Sequence, residues 1–385
     1  MNYEKIIKEI GTPTYVFDIE TLHNRVEYLK SKFKESNLVY AVKANTFIAK
    51  EVEDVVDRFE ICSPGEFEIC HKLGINHKKM VISGVYKDQE TIEYMISSFD
   101  DIGKYTIESI EQWKLLTKLV KKYNKKINVL VRLTSGNQFG VNEEDFYYII
   151  DNNDNDYINI EGIEYFSGTQ KHSIKRITKE IDYLIELVNK TEQEKKITIK
   201  EVEYGPGLPV FYFQDDEFDE DEFLTEVNDL LKGISNKIIS LEIGRSIAAS
   251  CGSYLTKVVD MKTNKNGNFT LVDGGIHHLV YYGGNLAMKT PWFEVIPKRE
   301  GEIKTYNLYG SLCTINDILM KNISINELQI GDVFIFKNTG AYSATEGISL
   351  FLSRNLPKIV ILDKNKDLKV VRETIKTSSL NFPNY

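Results

Sequence analysis

The chain has 385 residues, 42% of them apolar and 27% charged, enough apolar material for a large buried core spread over two or three domains. Its 48 basic and 57 acidic side chains leave a net charge of −9, which argues against a nucleic-acid partner. No apolar run reaches the roughly 18–20 residues of a membrane span and no signal-peptide core is present, while four cysteines without a C-x-x-C pair suit a reducing cytosol, so a cytoplasmic globular enzyme is expected.

From residue 20 to 245, short apolar runs alternate with helical patterns. The runs are Leu38–Val42, Phe59–Cys62, Met80–Ser83, Tyr105–Ile107, Ile127–Leu133, Ile158–Phe166, Ile197–Tyr204 and Ile238–Ile243. Between them lie stretches such as TLHNRVEYLKSKF, where Leu22, Val26, Leu29 and Phe33 share one helix face. Eight such units predict a (β/α)8 barrel, with an open doubly wound sheet as the rival that periodicity cannot separate from it. The acidic run 214–223 reads as a solvated loop and helix start, because crowded carboxylates repel. From residue 246 to 385 the helical pattern fades, and NFTLVD, KTYNLYGS, DVFIFKN, KIVILDKN and KDLKVVRE predict an all-β domain, joined by residues 1–19 through PTYVFD. The fold class is therefore α/β plus all-β.

Several residues stand where chemistry is expected. In NLVYAVKAN, strand alternation puts Lys43 at a strand end, facing the barrel mouth where barrel active sites lie. Desolvation there would favour a neutral, nucleophilic amine; the plain alternative is one more solvated lysine. In EYGPGLP, Gly205 and Gly207 offer backbone N–H groups to an anion, or simply make a tight turn. In LEIGRS, Glu242 faces inward and Arg245 follows at the rim, suited to a protonated heterocycle and an anionic group, or to a mutual ion pair. VDGGIHH places His277 and His278 side by side, and on a strand they would point to opposite faces, so no metal site is expected. Cys313 in GSLCTIND and Tyr342 in NTGAYSAT are ordinary on their own.

Taken in order, YAVKAN, FEICSPGE, FSGTQ, YGPGLP, LEIGR, VDGGIHH, GSLCTIND, GAYS and FLSRNLP resemble the pyridoxal 5'-phosphate (PLP) decarboxylases of the alanine-racemase-like barrel class, the diaminopimelate and ornithine decarboxylase family. The likeness runs from about residue 12 to 375 and implies a PLP-binding barrel with a C-terminal β-domain. It implies that Lys43 bonds the cofactor aldehyde, and that Gly205, Gly207 and Thr169 hold its phosphate. Glu242 would face the pyridine nitrogen. Arg245 would lie near the phosphate or substrate carboxylate, and Tyr342 would reach the phosphate region. Cys313 would come from the neighbouring subunit as proton donor, so the family pattern implies an obligate homodimer with sites at the interface.

The sequence departs from the family in places that bear on substrate. Phe166 stands where the family usually stacks a histidine on the cofactor ring; it can still stack but carries no proton. Thr314 follows Cys313 where diaminopimelate decarboxylases carry an acid for the distal ammonium, and LVYYGGNLAMKTPWF lacks the arginine expected for a distal carboxylate. Ile243 replaces a usual proline. Thr314, the missing arginine and the DGG-x-HH run followed by the Gly284–Asn285 pair resemble the branch acting on conjugated or carrier-protein-tethered amino acids. A racemase or epimerase of the same class, and a non-catalytic PLP-binding homologue, are the competing expectations. Glu242 speaks against the first; Cys313 and the β-domain speak against the second.

Overall fold

The computed structural model describes residues 1–154, 156–281 and 286–383. The chain forms two compact units, Val26–Pro209 with Asp219–Gly244, and Met1–Arg25 with Val210–Phe218 and Arg245–Tyr385. It opens with α1 (Tyr3–Ile10), β1 (Thr14–Asp18) and α2 (Ile19–Lys32), then enters the alternating region with β2 (Ser36–Ala41) and β3 (Arg58–Ile61). There follow α3 (Pro64–Lys72), β4 (Met80–Ile82), α4 (Gln89–Ser98), β5 (Lys104–Ile107), α5 (Ile110–Tyr123) and β6 (Ile127–Leu133). The region ends with α6 (Glu143–Asn152), β7 (Ile158–Phe166), α7 (Ile174–Lys195), β8 (Glu201–Gly205), α8 (Glu220–Leu231) and β9 (Ile238–Ile243).

Strands β2 to β9 are parallel and closed. Closure is made by β2 against β9, with Val39 opposite Glu242 and Tyr40 opposite Ile243, which decides for the barrel over the open sheet. The helices begin where the sequence supplies caps: the Ser63 side chain accepts from Glu66 N, Ser109 from Gln112 N and Asp219 from Glu222 N. Asp219 belongs to the acidic run, which does start a helix. On α7, Ile177, Ile181, Leu184 and Val188 recur at helical spacing and are all buried. One expected strand begins late: β8 starts at Glu201 rather than Ile197, because α7 runs to Lys195 and Lys196 turns the chain in a left-handed conformation.

The second unit is a nine-stranded sheet. Besides β1 it contains β10 (Gly252–Asn264), β11 (Gly267–Val272), β12 (Phe293–Ile296), β13 (Ile303–Tyr309), β14 (Ile318–Asn326), β15 (Val333–Phe336), β16 (Lys358–Leu362) and β17 (Leu368–Arg372). β1 lies antiparallel to β10 and parallel to β16. Ile6, Val16, Leu255, Val333, Ile335, Val360 and Leu362 pack as one core, each worth about 1.5–3 kcal/mol of burial. Strands β10, β12 and β14 were not expected from the sequence. β10 changes halfway from buried on both faces to largely exposed, so no single alternation marks it.

Candidate active site

Lys43 stands just past the end of β2, in a 3-10 turn over Val42–Ala44. Its Nζ lies 3.0 Å from Glu60 Oε2 on β3, 3.0 Å from Glu242 Oε1 on β9, and 3.7 Å from Cys62 Sγ. The expectation of an apolar, desolvated amine is therefore corrected: the side chain is 35% exposed, and the carboxylates it meets are almost fully buried. Burial presses the Glu60 carboxyl upward, but Lys43 and a hydrogen bond with Glu242 hold it well below the usual range. Burial and the neighbouring Glu60 push Glu242 well above it. The two carboxyls are thus driven in opposite directions, Glu60 toward the ionised form beside the Lys43 amine and Glu242 toward the protonated form. Glu242 Oε2 is buried with no hydrogen-bond partner.

The charge extends down the barrel. Arg132 on β6 lies 3.2 Å from Glu164 on β7 and 3.6 Å from Glu108. Burial, then Glu60 and Glu108, push the Glu164 carboxyl up to about 7 against the pull of Arg132. Oxygens of Glu60, Glu164 and Glu242 come within 4.8 Å of one another, but Lys43 already supplies the cation between two of them. Glu60, Arg132, Glu164 and Glu203 are buried charged side chains within barrel strands, where a charge is costly unless it is compensated. Sequence reasoning singled out none of them.

Two turns flank this centre. The ring of Phe166, at the end of β7, has its centroid 6.0 Å from Lys43 Nζ. It packs on the end of β8 so closely that a Cβ at Gly205 would meet Phe166 Cδ2 at 2.2 Å. Gly207 has a φ of 59°, and a Cβ there would meet Gly168 O at 2.2 Å. Thr169 lies between Gly168 and Gln170, both at positive φ, in the facing turn. The structure thus brings Lys43, Glu242 and Phe166 together, with Gly205, Gly207 and Thr169 on the adjoining turns.

The remaining expected residues lie in the sheet unit. Arg245 is buried; its Nη1 donates to the Tyr212 hydroxyl at 2.9 Å, and its guanidinium carbon stacks 4.4 Å from the Tyr342 ring centroid. Tyr342 adopts a φ of 65° in a turn. Cys313 is exposed, with Thr314 beside it half-buried in the same turn. His277 and His278 lie in a turn, not on a strand, and their ring centroids are 3.8 Å apart, which corrects the expectation of opposite faces. His278 is a structural residue: its ring meets the Tyr254 hydroxyl at 3.0 Å and the Asn355 carbonyl at 2.7 Å.

A family model described as the pyridoxal-dependent decarboxylase, C-terminal sheet domain, matches residues 14–340. The chain belongs to this family: it is a PLP-dependent amino-acid decarboxylase, a lyase. It is 26% identical over 369 residues to a diaminopimelate decarboxylase of Campylobacter jejuni, covering 89% of each chain. It is also 26% identical over 400 residues to an L-glutamyl-[BtrI acyl-carrier protein] decarboxylase of Niallia circulans, covering 95% of this chain and 92% of the relative. In fold it matches Helicobacter pylori diaminopimelate decarboxylase complexed with L-lysine, with a TM-score of 0.85 at 23% identity over 98% of both chains.

Proposed function

We propose that Lys43 anchors PLP and that the enzyme removes the α-carboxylate of an amino acid or amino-acid conjugate as a homodimer. One observation carries this: an amine held between two buried carboxylates at the barrel mouth, one of which keeps an unpartnered oxygen. That oxygen, Glu242 Oε2, fits a ring N–H, and Phe166 offers an apolar face to a heteroaromatic ring. When bound, PLP supplies an electron-withdrawing ring that takes up the electron pair left as carbon dioxide departs.

The chain's residues do the rest. Glu242 would face the ring nitrogen of the bound cofactor and, ionised, would hold a proton there. Glu60 accepts from Nζ and, on the ionised side of its balance, holds the Lys43 amine in place at the barrel mouth. Gly205, Gly207 and Thr169 would hold the phosphate, and the family resemblance assigns Tyr342 and Arg245 to it or to the substrate carboxylate. Cys313 of a second copy protonates the α-carbon; its exposure supports a role across an interface. Ile315, Leu350, Phe351 and Leu352, all exposed on the same unit, support a partner surface there.

At the substrate's far end, Thr314 is neutral and no arginine occurs over residues 279–293, which argues against free meso-diaminopimelate. The relative that acts on a carrier-tethered glutamyl group supports a conjugated or carrier-bound substrate. The Gly284–Asn285 pair lies outside the described residues. A cytoplasmic location is supported by four unpaired cysteines, and the net charge of −9 argues against nucleic acid and anionic membrane surfaces as partners. No helix among the described residues is long and apolar enough to cross a membrane.

The test is a carbon-dioxide-release screen of the PLP-loaded enzyme over free diamino acids, glutamate, conjugates and carrier-bound amino acids. Release from conjugates or carrier-bound substrates is expected, and Lys43→Ala should lose both release and the visible cofactor band. Rapid release from free meso-diaminopimelate would remove the conjugate assignment. A retained, borohydride-reducible band in Lys43→Ala would remove the anchor.

A further inference from the structure

We propose that Lys171 and Glu180 are positioning residues for the cofactor phosphate, tying the turns after β7 and β8 into one rigid phosphate-binding surface. This rests on the assignment of Gly205, Gly207 and Thr169 to the phosphate.

The Lys171 side chain has no solvent exposure. Its ammonium lies 2.6 Å from Glu180 Oε2, donates to Gly205 O at 3.2 Å, and sits 5.2 Å from the Tyr204 ring centroid. Its backbone N–H donates to Gly207 O at 2.9 Å. One residue therefore grips both glycine carbonyls of the neighbouring turn. Glu180, on the buried face of α7, is the hub beneath. Oε2 accepts from Lys171 and, at 2.6 Å, from the Tyr204 hydroxyl; Oε1 accepts from Arg176 Nε at 3.1 Å and from the Ser167 hydroxyl. Arg176 also donates to Ser167 O at 2.6 Å.

Burying a lysine and a glutamate is costly, and an apolar pair would pack here at less cost. What the ionic pair adds is direction. A trans peptide holds its C=O and N–H antiparallel. With Gly207 O drawn to Lys171, the N–H of Leu208 is aimed the opposite way. Pro206 has no N–H, so the donors of this turn are few and their orientation matters. Two cations against one carboxylate also leave the cluster net positive, which suits a dianion nearby. Lys171 and the hydrogen bonds from Ser167 and Tyr204 outweigh its burial and hold the Glu180 carboxyl below its ordinary range.

The test compares affinity for PLP and for pyridoxal, which lacks the phosphate, by fluorescence titration of the apoenzyme. Wild type should prefer PLP strongly. Lys171→Met should weaken PLP about tenfold or more and pyridoxal less than about twofold, collapsing the preference. Equal weakening of both ligands, or an unchanged preference, would overturn the inference. Should Lys171→Met not fold, Glu180→Gln, which keeps the shape and removes the charge, is read by the same ratio and the same outcomes. A wild type with no preference for PLP would instead overturn the phosphate assignment itself.

Discussion

In the sheet unit, the buried side chains of Asp317 and His278 are paired on both of their polar atoms. Asp317 accepts from Ile276 N at 2.8 Å and Leu312 N at 2.7 Å, one on each oxygen, and both ring nitrogens of His278 are engaged. In the barrel, both carboxylate oxygens of Glu108, Glu164 and Glu203 are buried without a hydrogen bond, as is Glu242 Oε2. Satisfied burial fixes a fold; a buried carboxylate without a hydrogen bond is costly, and an ion pair such as that of Arg132 with Glu164, a proton or a ligand can offset the cost. The unpaired barrel carboxylates are therefore the side chains to test for function, and Asp317 and His278 those to test for scaffold.

Perturbing the two regions should give opposite signatures. Glu242→Ala should lower turnover by about 10³-fold while changing PLP affinity far less, measured by carbon dioxide release and titration. The reverse pattern would make the carboxylate structural. Mixing Lys43→Ala with Cys313→Ala chains should restore about a quarter of wild-type turnover after random exchange, because each mixed dimer regains one intact site. In the sheet unit, Asp317→Ala should cost about 2–3 kcal/mol in denaturant unfolding, by orphaning two buried N–H groups, and leave the cofactor spectrum unchanged.

A further effect in the sheet unit concerns pH. Burial, opposed by the hydrogen bond to Asn355, lowers His278 to about 4, so the folded state keeps it neutral where the unfolded chain binds a proton. Its contribution to stability is complete above the unfolded value near 6.5 and is lost as pH falls toward about 4. The stability gap between wild type and His278→Gln should narrow across that window by roughly 1.4 kcal/mol per pH unit. A gap independent of pH would contradict a neutral buried His278.

Much of the barrel was legible because most strands are short, largely apolar runs alternating with amphipathic helices; the expected Ile127–Leu133, Ile158–Phe166 and Ile238–Ile243 match β6, β7 and β9 end to end. The sheet unit was less so. β10 crosses two environments, and β12 is only four residues long. At the site, Lys43 and Glu242 stand out by strand phase, and the motif resemblance drew attention to them. Glu60 and Glu164 share that phase but were passed over, since a charged residue in a strand gives no hint of a partner contributed by another strand. Lys171 and Glu180 were invisible for a related reason. Their pairing joins a turn to a helix nine residues on, and the one sequence trace is an acid on the apolar face of α7.

The most direct measurement reduces the PLP-loaded protein with borohydride, digests it and locates the pyridoxyl group by mass spectrometry. The label is expected on Lys43 alone. A label on another lysine, or none, would contradict the central claim that the amine between Glu60 and Glu242 anchors the cofactor.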